Sequence, residues 1–189
     1  MNYTEDKLFD KIKFQEEALE IGEYENCIFR QCDFSNTNLS EIKFIDCEFI
    51  GSNLSLAVLT KTAFRDIKFN ECKMLGLHFE NCNEFGLAFT FENCQLNHSS
   101  FYKTIIKKTT FNNCQLIEVD FTECELTGSI FESCDLNNAV FNNTNIEKVD
   151  FRTAFNYSID PELNRIKMAK FSIQGIPGLL NKYNIDIEN

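Results

Sequence analysis

Residues 91–151 read FENCQLNHSSFYKTIIKKTTFNNCQLIEVDFTECELTGSIFESCDLNNAVFNNTNIEKVDF. One large apolar residue stands at every fifth position: Phe91, Leu96, Phe101, Ile106, Phe111, Leu116, Phe121, Leu126, Phe131, Leu136, Phe141, Ile146 and Phe151. A period of five is neither the helical 3.6 nor the strand 2.0, so it marks an internal repeat. A second column lies two residues earlier: Phe89, Cys94, Ser99, Thr104, Thr109, Cys114, Val119, Cys124, Ser129, Cys134, Ala139, Thr144 and Val149, mostly small. Residues two apart in extended chain point to one side. Each unit therefore sends one large and one small side chain inward. It is too short to bury anything alone, so copies must stack.

The same beat runs upstream through Phe29, Phe34, Leu39, Phe44, Phe49, Leu54, Leu59, Phe64, Phe69, Met74 and Phe79. Aromatic meets aromatic, or aliphatic meets aliphatic, in five of seven pairs at a spacing of twenty, against two of nine at ten. A turn of twenty residues follows. The unit Cys134-Asp135-Leu136-Asn137-Asn138 resembles the consensus of the pentapeptide-repeat family, and the resemblance covers roughly Tyr24 to Phe155. It implies an all-β solenoid, a right-handed quadrilateral parallel β-helix with four pentapeptides per turn.

Three segments are expected: an N-terminal cap over 1–23, the β-helix over 24–155, and a tail over 156–189 with a short C-terminal α-helical cap. Asp160-Pro161-Glu162 reads as a helix start. Ser172 reads as the cap of a second, weaker helix, and Ile185–Glu188 alternates like a strand. A short helix is expected in Gln15–Glu20. Between Phe79 and Phe91 the beat slips, because Glu84 stands where the core needs an apolar group. Two extra residues are placed within Glu80–Thr90 on the fourth face, with Phe85 or Leu87 in the core slot and Gly86 giving backbone freedom.

The nine cysteines all fall on the small inward column, with no C-x-x-C, and His78 and His98 lie on outward positions. They read as core filler, not as metal ligands or a disulfide framework. No cofactor and no metal site is expected. The polar Met1–Lys7 start lacks a signal-peptide core, and no stretch of eighteen apolar residues occurs. The expected compartment is the cytoplasm.

The net charge of −11 disfavours direct binding to nucleic acid or anionic membrane. No nucleophile–base pair, phosphate-cradling loop or other catalytic constellation appears, so a non-enzyme is expected. From Thr109 to Glu147 there is no Lys or Arg. The acids Glu118, Asp120, Glu123, Glu125, Glu132, Asp135 and Glu147, with Asp150 just beyond, are distributed by the five-beat over all four faces. Seven charges over two turns average one per ~1.4 Å, comparable with duplex DNA at about one per 1.7 Å.

The tail from Ile159-Asp160-Pro161-Glu162-Leu163-Asn164 to Leu179-Leu180 is similar to the C-terminal segment of the Qnr and mycobacterial quinolone-resistance branch of that family. That resemblance implies a homodimer through the tail, and the tail's apolar content makes Phe155, Ile159, Ile166, Phe171, Ile173, Leu179, Leu180, Ile185 and Ile187 its expected interface. It also implies a DNA mimic that binds DNA gyrase or topoisomerase IV and modulates it or protects it from quinolones. The insertion is far shorter than the loops of Gram-negative Qnr proteins, so the chain looks more like the loopless members. The other reading open at this point is a scaffold for some other protein partner, its acidity serving solubility alone.

Overall fold

A computed structural model describes residues 2–188; Met1 and Asn189, the outermost residues of the two predicted end segments, lie outside the described residues. The chain is a parallel β-solenoid with four faces per turn. On the first face, three- and four-residue strands from Leu8–Asp10 to Ile130–Glu132 form one seven-stranded parallel sheet. On the fourth face, Asn2–Glu5, Gly22–Glu25, Lys43–Ile45 and Ala63–Arg65 form a second. The second and third faces are joined by single bridges such as Asp33↔Asn53 and Ser100↔Asp120. Partners are twenty residues apart, as in Phe29↔Phe49 and Phe111↔Phe131.

Most corners are made by one residue with positive φ. Asn36, Gly51, Glu118, Glu123 and Asn138 are examples, with φ of 58°, 57°, 57°, 56° and 56°. The corner often closes as a β-turn: Thr37 N donates to the Phe34 carbonyl at 3.0 Å across Asn36. Positive φ at the third turn residue is the type II requirement, which explains the recurrence of Asn, Asp and Gly there. Backbone groups freed by so many turns are satisfied by the next turn, as in Leu54 N to Lys73 O at 2.7 Å.

The core is a set of stacked columns. On the first face Phe9, Phe29, Phe49, Phe69, Phe91, Phe111, Phe131, Phe151 and Phe171 stack with centroids 4.7 to 5.4 Å apart. A second aromatic column occupies the fourth face early (Tyr24, Phe44, Phe64) and the third face later (Phe79, Phe101, Phe121, Phe141). The two meet edge-on, as Phe111 and Phe121 do at 82°, the arrangement favoured by ring quadrupoles.

All nine cysteines are free and buried. Several thiols donate to a carbonyl of the preceding turn: Cys47 to Tyr24 at 3.2 Å, Cys72 to Phe49 and Cys134 to Phe111 at 3.3 Å. The hydroxyls of Ser52 and Thr144 make the same bond to Phe29 and Phe121. The small column thus selects side chains that are compact and can donate.

The register changes from twenty to twenty-two between Phe49↔Phe69 and Phe69↔Phe91. The two extra residues lie where the periodicity puts them, but the core slot is filled differently. Phe85 is 75% exposed. Leu87 packs only partly against the core. The neighbouring small column supplies the ring instead, with Phe89 buried 5.8 Å from Phe64. Gly86, at φ +72°, sits against the Arg65 side chain.

The coil also runs further than the beat predicts. Asn2–Glu5 and Leu8–Asp10 already pair with the next turn, and Gln15–Glu20 is turn and irregular chain, not helix. At the other end Arg165 and Lys170 bridge to Asn145 and Asp150, and Phe171 stacks on Phe151. The expected helix start at Asp160 is instead a turn, its Oδ1 accepting Glu162 N at 2.8 Å. A helix is prevented because Asn164 serves the small column, its Nδ2 donating to Phe141 O and its Oδ1 accepting from Thr144 N. The small C-terminal helical element consists of 3-10 segments, Ile173–Leu179 and Asn181–Tyr183. Ser172 caps the first as expected, accepting from Gly175 N. Pro177 inside it removes an amide that an α-helix would use. Residues 185–188 form no strand. Gly178 presses on Tyr157, where a Cβ would come within 2.3 Å of the Tyr157 carbonyl.

Candidate functional site

The five-residue beat fixes where each predicted acid lies. Glu118 and Glu123 are corner residues and exposed. Asp120 and Asp135 precede the inward Phe121 and Leu136 on the third and second faces. Together these four form one side of the rod over two successive turns. Their surroundings are hydrogen-bonding but sparse in cations. His98 Nδ1 lies 3.1 Å from Glu118, and Lys103 Nζ lies 3.5 Å from Glu123. Asn156 donates to Asp135 at 2.8 Å.

Glu125, Glu147 and Asp150 sit elsewhere and are occupied. Glu125 accepts from Asn145 at 2.8 Å and from the Thr127 hydroxyl and amide. Burial pushes its pKa up, but those bonds outweigh burial and hold it below the usual carboxylate range. Glu147 binds Arg165 at 2.9 Å. Asp150 binds Arg152 at 2.7 Å and Lys170 at 3.6 Å. The Arg152 guanidinium is the main cause that holds its carboxyl at about 2, against partial burial. Glu132 stands exposed on the first face. Among the described residues, Lys or Arg pairs with Glu123, Glu147 and Asp150, while Glu118, Asp120, Glu125, Glu132 and Asp135 have no Lys or Arg within salt-bridge distance.

Asp120 and Asp135 also have a backbone role missed in the sequence. Their Oδ1 atoms accept Thr122 N at 2.8 Å and Asn137 N at 3.1 Å. Asn53 and Asn145 make the same bond at equivalent positions. The signal was present in the recurrence of Asp and Asn just before the large inward residue.

The predicted dimer residues divide. Ile159 is 1% exposed, and Ile166, Phe171 and Leu179 pack on the chain's own core. Leu180 is half-buried. Phe155, Ile173, Ile185 and Ile187 are exposed, and Leu163, Met168, Ile176 and Tyr183 join them. Among the described residues, no group of three or more His, Cys, Asp or Glu could hold a metal, and no helix is long and apolar enough to cross a membrane.

Solved structures are similar to this chain. A trypsin-treated variant of QnrB1, described as a plasmid-mediated fluoroquinolone resistance protein, is 16% identical with a TM-score of 0.58, over 99% of this chain and 100% of that one. Full-length QnrB1 is 18% identical, with a TM-score of 0.46 over 97% and 100% of the two chains. HetL from Nostoc sp. strain PCC 7120, a pentapeptide repeat protein involved in heterocyst differentiation regulation, is 11% identical, with a TM-score of 0.43 over 92% and 87%. At 16% identity and a TM-score of 0.58, the likeness to the trypsin-treated variant is one of fold. No curated protein sequence matches the chain. A family model described as the pentapeptide repeat region matches residues 23–90 and again 87–154, the two meeting at the insertion. Since those two matches take in most of the coil whose corners, columns and register are described above, the chain belongs to the pentapeptide repeat family.

Proposed function

We propose that the protein is a non-catalytic acidic rod that binds a type II topoisomerase, DNA gyrase or topoisomerase IV, at a surface that otherwise receives DNA. The supporting observation is the placement of Glu118, Asp120, Glu123 and Asp135 on adjacent faces of two successive turns, in a span without Lys or Arg. These four carboxylates over two turns at strand spacing average one per ~2.4 Å, sparser than a duplex at about one per 1.7 Å but held on a stiff frame. The description of QnrB1 as a fluoroquinolone resistance protein adds to this reading, and modulation or quinolone protection of the enzyme belongs to it. So does a homodimer through the exposed tail residues Phe155, Ile173, Ile185 and Ile187. Light scattering at a monomer mass would remove that dimer.

The test is a gyrase supercoiling assay with purified protein. Inhibition is expected, and it is expected to be lost when Glu118 and Glu123 become Gln and Asp120 and Asp135 become Asn. These changes keep the turn acceptor that Asn53 and Asn145 show is sufficient. A second reading, a scaffold for another protein, is favoured by the use of Asp120 and Asp135 as turn acceptors. It gains if the wild-type protein leaves supercoiling unchanged.

A further inference from the structure

Four of the cysteines form one unbroken column. Cys72, Cys94, Cys114 and Cys134 occupy the small inward position just ahead of the second face in four successive turns, and all are buried. The backbone holds them in register: Gln95 N donates to Cys72 O at 3.0 Å, Gln115 N to Cys94 O at 2.9 Å and Asp135 N to Cys114 O at 3.0 Å. Neighbouring Cα atoms are then one strand spacing apart, about 4.8 Å, inside the range of about 4.4–6.8 Å that a disulfide spans. Three of these thiols are tied to the turn before. Cys72 donates to Phe49 O at 3.3 Å, Cys94 to Phe69 O at 3.4 Å and Cys134 to Phe111 O at 3.3 Å. Cys114 differs: among the described residues its Sγ bonds to one carbonyl, Asn112 O at 3.3 Å, in its own turn. A surface groove of about 430 Å³ lies over this pair, its lining including Asn93, Cys94, Gln95, Asn113, Cys114 and Gln115 but not Cys134.

Two thiols stacked in register beneath one groove, one of them untied from the turn before, are placed to be oxidised as a unit. We propose that Cys94 and Cys114 form a modification site, at which hydrogen peroxide converts the two thiols into a cystine that bridges adjacent turns. Cys94 is the attacking sulfur. The Cys114 thiol beside it, and then Cys72, hold it below its ordinary range against burial, which raises its thiolate fraction. It attacks one peroxide oxygen, the O–O bond breaks, and Cys94 becomes a sulfenic acid as one water leaves. The Cys114 sulfur then displaces the hydroxyl, the S–S bond forms, and the Cys114 proton leaves with that hydroxyl as a second water. Cys94 gives up its bond to Phe69 O, and Cys114 has no bond of that kind to lose. Hydrogen peroxide is close to water in size and enters where a bulky aromatic reagent does not. The cross-link fastens two turns to each other and raises resistance to unfolding. The inference is independent of the topoisomerase reading, because it concerns the interior and not the outward acids.

The test uses the full chain, fully reduced and then exposed to hydrogen peroxide while folded. Intact mass should fall by two hydrogens. Digestion after Lys and Glu should then yield residues 93–103 joined to 109–118, segments that each hold one cysteine, Cys94 and Cys114. The urea midpoint of the oxidised chain should rise, and a dithiol reductant should return it. Cys114→Ser should abolish both changes. Serine already serves this column at Ser52, whose hydroxyl donates to Phe29 O, so the variant keeps its fold. Cys134→Ser should leave both changes in place. No loss of hydrogens from the folded chain, a link through Cys72 or Cys134 instead, or a bridge that forms only in denaturant would overturn the proposal. So would unchanged oxidation in Cys114→Ser.

Discussion

The rings of Phe111 and Phe131 lie parallel within 9°, centroids 4.7 Å apart, one full turn of chain between them. Every first-face Phe between the two ends repeats that relationship above and below. Truncating one therefore opens a hole lined by two rigid rings that have little room to collapse. Phe111→Ala is expected to cost about 3–5 kcal/mol, read by urea denaturation. A loss below about 1 kcal/mol would mean that the column is not the principal packing of the core.

The small column makes a prediction about reactivity. Burial pushes the Cys47 and Cys124 thiols up to about 12, and the Cys82 thiol is raised for the same reason. Thiolate, the reactive form, is then scarce at these three near neutral pH, and burial shields all nine from a bulky reagent. The folded chain should leave all nine cysteines unlabelled by an aromatic disulfide reagent, and all should react in denaturant. Rapid labelling of any one in the native protein would place it outside the core.

Corners carry conformational strain that a substitution can relieve. Leu56 has φ +59° while its side chain is 58% exposed. A branched apolar residue gains little there and bears the left-handed penalty. Leu56→Asn is expected to raise stability by about 0.5–1 kcal/mol. The reverse change at the next turn, Gly76→Ala, should destabilise, because φ is +63° and the added Cβ would meet Leu56 Cδ2 at 2.9 Å. Denaturation midpoints moving the other way would contradict this account of the corners.

Asp150 predicts a pH dependence. Its folded carboxyl sits at about 2, below the ordinary value of 3.8. The folded state therefore favours the charged form, and the contribution is complete above the ordinary value and disappears as pH falls through the folded one. Asp150→Asn should lower stability by about 1 kcal/mol at neutral pH, discounted for partial exposure. The gap between wild type and variant should close between about pH 4 and pH 2. A gap that does not change with pH would assign the loss to packing instead of charge.

Much of this architecture is readable from spacing. The inward pair, the twenty-residue turn, the two-residue insertion and the buried cysteines all follow from a beat of five. The ends were harder because their sequence departs from the beat while their backbone keeps it. Asn2–Glu5 and Leu8–Asp10 continue the sheets, although Glu17 and Gly22 give the beat poor partners. Asn164 keeps a turn in register by hydrogen bonding where other turns use a thiol or hydroxyl, so Asp160-Pro161 resembled a helix start. The acidic surface was half visible. Spacing gives the face of each acid but not its neighbours one turn away, and Arg165 and Lys170 lie beyond the acid-only span. Phe89 could not be chosen over Phe85, because filling a core slot from an adjacent column breaks the rule that located the slot.

The most direct measurement is displacement of a labelled DNA duplex from DNA gyrase by this protein, followed by fluorescence anisotropy at low and moderate salt. The account predicts saturable displacement that weakens as salt rises and is abolished in the variant carrying Glu118→Gln, Asp120→Asn, Glu123→Gln and Asp135→Asn. Failure of the wild-type protein to displace DNA, or equal displacement by that variant with its fold intact, would contradict it.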